Sequence, residues 1–378
     1  VGMGNVSGVA VAITMGGPGA IFWMWVSALL GVSTKFFTCS LAVMFRGKDS
    51  SGEIQGGPMY YITEGLGKNW KPVAIFFSIM GMVGVSPLFQ ANQLTQMIRD
   101  VVLIPNNFGA SFQSDLITGI IISIITGIVI IGGIKRIGSV TGRVVPFMVV
   151  VYVITVLYII FSDTSLIIPA FKTILHDAFT GDAVLGGSLG AIIIVGVRRA
   201  AVSNEAGLGT APMAHGAAKT SEPIREGLVA MLGPIIDTII ICTMTALAII
   251  ITNTWVESSA DGISLTANAF DVAIPIYGKY ILTICVTFFA MSTLFAFPYY
   301  GTKCLGFVAG AKYGYLYNYV FVVVIIIGAV SNLQVIIGLI DISFALMAFP
   351  TVISTLLLSP HVRRAAKDYF IRLKNSKF

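Results

Sequence analysis

Hydrophobic positions in this chain neither alternate nor recur every third or fourth residue; they fill windows of about 20 residues divided by short polar stretches. Eight such windows lie near 19–45, 72–98, 114–133, 143–162, 227–251, 278–300, 315–330 and 333–358. Each is long enough to cross a bilayer core of about 30 Å as a helix. Two more segments, 1–15 and 186–218, are equally apolar but interrupted. The first, "VGMGNVSGVAVAITMGG", places Gly2, Gly4, Gly8, Gly16 and Gly17 where each costs about 1 kcal/mol relative to alanine in a helix interior. The second contains "AVSNEAGLGTAP", with a carboxylate, two glycines and a proline. Counting both as broken spans gives ten, and an all-α, polytopic membrane protein.

The broken segments are then the first and sixth spans. Asn5-Val6-Ser7-Gly8 and Asn204-Glu205-Ala206-Gly207 share the pattern N-x-small-G at an offset of 199. Five spans per half forces the halves into opposite orientations, so the expected architecture is a five-plus-five inverted repeat. The first repeat covers about 1–162 and the second about 186–358, in one transport domain over 1–378, followed by a basic tail, 359–378. Non-helical backbone at membrane depth leaves N–H and C=O groups that lipid cannot satisfy, so such breaks survive where they line a cavity. Interrupted spans at matching places in two halves point to a midplane binding site. Gly2, Glu205 and Gly207 are expected to shape the breaks. Gly8, Ala12 and Gly16 read as a small-residue packing stripe instead. Gly4 continues that stripe but, with Asn5, is assigned to the site.

Composition agrees with a membrane setting. Apolar residues make up 56% of the chain and charged residues 11%, against about 25% charge in soluble domains. The net charge of +6 does not indicate nucleic acid, because the basic residues are scattered through short loops. Of 23 lysines and arginines, 17 fall on the side holding 46–71, 134–143, 219–226, 301–314 and the tail. The positive-inside rule places that side, and the C-terminus, in the cytoplasm of a cell-membrane protein. The chain begins without methionine in the middle of a motif, so sequence is expected to precede it.

Cys39, Cys242, Cys285 and Cys304 lie in apolar stretches without metal-ligand spacing and read as buried thiols. With three histidines (His176, His215, His361), no HExxH and no partnered cysteine, an intramembrane enzyme is not supported. Inside the spans, Glu205, Asp237, Asp341 and Lys35 are costly enough that they must face protein.

The string "GGPGAIFWMWVSALLG" at 16–31 resembles the signature of the alanine/glycine:cation symporters, the sodium:alanine symporter family. Further matches are "GGPMYYI" at 56–62, "VSNEAGLGTAP" at 202–212, "YYGTKC" at 299–304 and "LMAFP" at 346–350, so the resemblance covers essentially the whole chain. It implies a fold of the leucine-transporter type and uptake of small neutral, alanine- or glycine-like amino acids by alternating access. Coupling would be to sodium, in some members to protons, with no organic cofactor. Carried over by motif, the Val1 carbonyl and the Ser292 and Thr293 hydroxyls would form one sodium site, and Asn5 a ligand of a second. Met3 and Gly4, facing Ser203 and Asn204, would hold the zwitterion, with Gln90 a polar contact and Phe297 an aromatic wall. Four places depart from the family: Met3 for a threonine, "SPLFQANQ" at 86–93, Thr38 for a glutamate, and "FAFPYY" at 295–300. Met3 removes a hydroxyl and adds apolar volume, which favours a different or bulkier side chain than alanine's. An amino-acid sensor or channel on the same scaffold, without coupled turnover, is the competing reading.

Overall fold

The computed structural model describes residues 2–131, 134–180, 189–257 and 260–375. Val1 lies outside them, as do the first residues of the 186–218 segment. The apolar windows fold into helices because only a helix satisfies its own backbone within lipid. Among the described residues, eight helical stretches are long and apolar enough to cross a membrane, and they coincide with the eight windows.

The chain opens with helix α1 (Met3–Gly16) and α2 (Gly19–Met44), then a two-stranded hairpin, β1 (Gly47–Lys48) with β2 (Ile54–Gln55), antiparallel. The short α3 (Pro58–Leu66) leads to α4 (Lys71–Gly84) and α5 (Leu88–Ile98). The expected uninterrupted span at 72–98 is therefore parted at Val85–Pro87. Pro87 lacks an N–H and crowds the preceding turn, so a helix restarts at it more easily than it runs through. Next come α6 (Phe112–Ile131), α7 (Ile134–Ser162) and α8 (Ile167–Thr180).

The 186–218 segment is broken where the sequence suggests. Helix α9 (Leu189–Asn204) stops and α10 (Thr210–His215) begins after five residues that include Glu205, Gly207 and Gly209 at φ of 56°, 81° and 94°. The following span runs through α11 (Pro223–Ala230), α12 (Leu232–Pro234), a π-helical stretch (Ile235–Cys242) and α13 (Thr243–Ile251). Beyond α14 (Thr254–Glu257), α15 (Gly262–Ala273) packs on α1, α5 and α13. The chain closes with α16 (Gly278–Ala309), α17 (Ala311–Gly314), α18 (Leu316–Val330) and α19 (Leu333–Lys374). The basic tail is thus no separate segment up to Lys374, since α19 continues through it.

Two ends of the bundle are distinct. At the basic end, Arg46 donates to the carbonyls of Gly216 (2.8 Å), Thr220 (3.0 Å) and Ala218, and the Ala311 N–H donates to Ser50 Oγ at 2.7 Å. Arg372 grips the Glu222 carboxylate with two bonds of 2.7 and 3.0 Å. Those bonds hold the Glu222 carboxyl below its ordinary pKa, slight desolvation pulling the other way. At the opposite end, a buried polar chain ties α15 to the core. Gln93 Oε1 accepts from Ser7 and from the Ile263 N–H, and Gln93 Nε2 donates to Gln96 Oε1 at 2.8 Å. Gln96 in turn donates to Asp261 and Ser264. All four cysteines are free and buried.

Candidate functional site

The first segment is not broken among the described residues, where α1 runs continuously from Met3 to Gly16 through Gly4 and Gly8, its ladder kept by their unstrained helical backbone. Between its start and the broken end of α9 lies a cavity of about 390 Å³. Gly2, Met3, Gly4 and Asn5 line it from the start of α1, and Ser203, Asn204 and Glu205 from the end of α9. Gln90 contributes from α5, and Ser292, Thr293 and Phe297 from α16. Every site residue expected from the sequence is therefore on this wall, except Val1, which is not described, and Gly207, whose role is confined to the backbone of the break. The lining extends through Tyr300, Ala214 and His215 toward the basic end. There His215 Nδ1 lies 2.6 Å from Glu226 Oε1.

Asn5 is the hub of the wall. Its side-chain oxygen accepts from the Gly2 N–H (2.8 Å), capping α1, while its amide nitrogen donates to the Asp237 carbonyl (2.7 Å) and Ser203 Oγ (3.2 Å). Its own carbonyl accepts from Thr245 Oγ1 at 2.8 Å. Asn204 repeats the theme at the other break. It donates to Thr238 Oγ1 (3.1 Å) and accepts the Ala206 N–H (2.9 Å), which turns the chain out of the helix. Ser203 Oγ and Thr238 Oγ1 are 3.2 Å apart, so two hydroxyls bridge the two asparagines.

Glu205 accepts a hydrogen bond from Thr210 Oγ1 at 2.7 Å. Its carboxylate thus spans the break and anchors the start of α10, while remaining on the cavity wall. Gly4 approaches α9 so closely that a Cβ would stand 3.1 Å from the Val202 carbonyl oxygen. The packing stripe accordingly holds at Gly16, against Val195, and at Gly4, whereas Gly8 has nothing within 4 Å of a Cβ position.

The hydroxyls of Ser292 and Thr293 both donate to the Phe289 carbonyl, at 2.9 and 3.0 Å. That bond uses the hydrogen and leaves oxygen lone pairs free to accept or to ligate a cation. Thr293 Oγ1 would stand 3.0 Å from a Cβ at Gly2, so the missing side chain lets the α1 backbone and the α16 hydroxyls meet. Hydroxyl and carbonyl oxygens are hard donors of the kind that suit a hard cation, and the residues present fit sodium in that respect.

Two polar atoms on the wall lack a partner among the described residues: Gln90 Oε1 and Ser86 Oγ. Buried polar atoms are ordinarily hydrogen-bonded, so both mark the parting between α4 and α5 as a place for a polar ligand atom. The structure also brings in residues that the sequence did not single out. Thr238 and Thr245 are fully buried beside the asparagines; the signal was a polar Asp237-Thr238 pair inside "PIIDTIIIC", hidden by the change of helical pitch there. Arg199, 3% exposed, pairs with Asp341 of α19, with Arg198 3.7 Å from the same carboxylate. Lys35 and Asp341, by contrast, are among the charges that the sequence requires to face protein, and Lys35 lines the cavity beside Gly233, where a Cβ would be 2.7 Å from its ammonium.

Known proteins share this sequence along its length. The sequence profile of the sodium:alanine symporter family matches residues 1–378. A sodium/alanine symporter of Methanococcus maripaludis, AgcS, is 42% identical over 377 residues, covering 98% of this chain and 81% of its own length. An uncharacterized transporter of Haemophilus influenzae is 40% identical over 381 residues, covering 99% of this chain and 82% of its own length. A probable sodium/glutamine symporter of Bacillus subtilis, GlnT, is 34% identical over 378 residues, covering 100% of this chain and 77% of its own length. A multi-pass helical bundle, a polar cavity at a broken span and a match over the full chain lead to one conclusion: this chain belongs to the sodium:alanine symporter family, and is a membrane transporter, not an enzyme.

Proposed function

We propose that the protein is a sodium-coupled symporter of a small neutral amino acid, working by alternating access on a five-plus-five inverted repeat. The observation that carries this reading is the cavity where the start of α1 faces the broken end of α9. Helix-end N–H groups of Met3 and Gly4 suit a carboxylate, and the Ser203 and Asn204 segment bounds it from the other side. Gln90 Oε1 is an acceptor in want of a donor, which suits the amino acid's ammonium or a polar side chain. Met3 and Phe297 offer apolar surface to the side chain. Sodium would be held by the Ser292 and Thr293 hydroxyls with backbone oxygen from the start of α1, and Asn5 Oδ1, which accepts from the Gly2 N–H, would use its second lone pair for a second ion. Bound sodium supplies positive charge beside the substrate carboxylate; by linkage, each then raises the other's affinity.

The shared N-x-small-G pattern and the hydroxyl bridge between Asn5 and Asn204 support the repeat. The lining that reaches His215, with α15 tied down at the other end, suits a state facing the basic end, which we take to be the cytoplasm of the cell. AgcS is named for alanine and GlnT for glutamine, so the side chain is to be found by experiment. The test is uptake of labelled alanine, glycine and glutamine into proteoliposomes. Accumulation of at least one should follow an imposed inward sodium gradient and collapse when the gradient is dissipated. Uptake indifferent to sodium and proton gradients, or binding without flux, would refute the symport reading.

A further inference from the structure

Helix α6 packs tightly along α18, where a Cβ at Gly119 would stand 2.6 Å from Ala329 Cβ and Ser123 donates to the Val322 carbonyl at 2.7 Å. From α16 it parts. Between α5, α6 and α16 lies a second cavity, about 700 Å³, larger than the central one. Its inner surface is apolar and buried, with Leu94, Ile122 and Phe295 at 1%, 3% and 6% exposure. Its outer lip is formed by Ile117, Ile121 and Ile125, about half exposed, so it opens sideways to the surroundings of the bundle.

Polarity varies along its length. Ser111, Gln113 and Ser114 line the mouth, where the chain enters α6; apolar side chains line most of the rest, and the hydroxyls of Thr118, Thr287 and Ser292 there donate to carbonyls of their own helices. From Ser114 to Ile125 is eleven residues, or about 16 Å of helix, close to the roughly 15 Å depth of one leaflet's hydrocarbon. An apolar cavity of this kind does not stabilise water, and an unfilled one forfeits the dispersion contacts of its lining. The occupant that matches a polar mouth, an apolar body one leaflet deep and a lateral opening in a membrane protein is a lipid tail.

We propose that this groove is a binding site for one acyl chain of a membrane phospholipid, with the polar part of the lipid at Ser111, Gln113 and Ser114. The chain lies against Phe288, Met291 and Phe295 of α16. Ser292 lines both this groove and the central cavity, so a single helix wall separates the lipid from the site. Apart from Ser292, the groove's lining has no part in the transport reading, and the lipid is read directly.

The native chain, in detergent-free nanodiscs containing a phosphatidylcholine with a diazirine midway along one tail, is irradiated and its adducts are mapped by mass spectrometry. Adducts are expected on Phe295 and Met291, as well as on Ile124 and Ile128, which lie on the exposed face of α6. In Thr287→Trp, which fills the groove, the Phe295 adduct should fall about tenfold, equivalent to ~1.4 kcal/mol of occupancy, with Ile124 labelled as before. Adducts confined to Ile124 and Ile128 would overturn the proposal. So would protection of both helices, as when a second copy of the chain covers this face, or groove labelling unchanged by the tryptophan.

Discussion

The hydroxyls of Ser292 and Thr293 direct their hydrogens to the Phe289 carbonyl, the bond that serines and threonines make in any helix. Taken alone it is a bland arrangement; what distinguishes it is the side-chain-free Gly2 opposite. Asn5, by contrast, is built into the scaffold from both ends of its amide. The two kinds of residue should therefore respond differently to truncation. Thr293→Ala removes a bond whose loss costs the fold less than about 1 kcal/mol, and should leave the melting temperature nearly unchanged while raising the sodium concentration for half-maximal uptake about tenfold. Asn5→Ala leaves the Gly2 N–H and the Asp237 carbonyl without their partner, at about 1–3 kcal/mol each, and should lower the melting temperature as well as sodium affinity. Equal behaviour of the two variants in thermal denaturation would contradict this division.

At the scale of the element, spans were legible because a run of apolar residues has few other ways to satisfy its backbone in lipid. The break at Glu205–Gly209 was legible because glycines and a carboxylate cluster there. The parting at Val85–Pro87 was not: a lone proline in an apolar window reads equally as a kink, and the decision rests with the α16 and α19 side chains packed around it. The π-helical stretch beside Asn5 was invisible for a similar reason, since a one-residue change of pitch leaves composition untouched. Nor could spacing show that Gln93 reaches α15, a contact across 170 residues. Two glycines contrast the break with an unbroken helix. Gly209 combines φ of 94° with a Cβ position 2.6 Å from Phe77 Cε2 and 2.7 Å from Pro58 Cγ. Gly209→Ala should lose about 1–3 kcal/mol or more, seen as a large drop in monodisperse protein on size-exclusion chromatography. Gly8 lies inside α1 with nothing near its Cβ position, and Gly8→Ala should be neutral or stabilising by about 0.4–1 kcal/mol.

At the scale of the whole molecule, the basic end is held by polar clasps that water can reach, and the Arg372 to Glu222 pair among them is sensitive to acid. Because the Glu222 carboxyl is held below its ordinary value of 4.5, its contribution is fully present above that value and fades as pH falls through the lowered one. Protection against hydrogen exchange in residues 365–374, measured relative to the intrinsic rate at each pH, should therefore be constant at neutral pH and be lost as the pH falls below the ordinary carboxylate range, and Arg372→Ala should abolish the transition there. Helix α19 joins this clasp to the central cavity, for it supplies Ile337, Ile340 and Phe344 to the wall and Arg372 to the grip. From Phe344 to Lys374 is 30 residues, or about 45 Å of helix. A tilt of about 10° at the wall, taken as rigid, sweeps the far end through roughly 8 Å. Pro350 and Pro360 lie along that stretch, so a spectroscopic distance measured from its tip reads how much of a motion at the cavity the helix passes on past them.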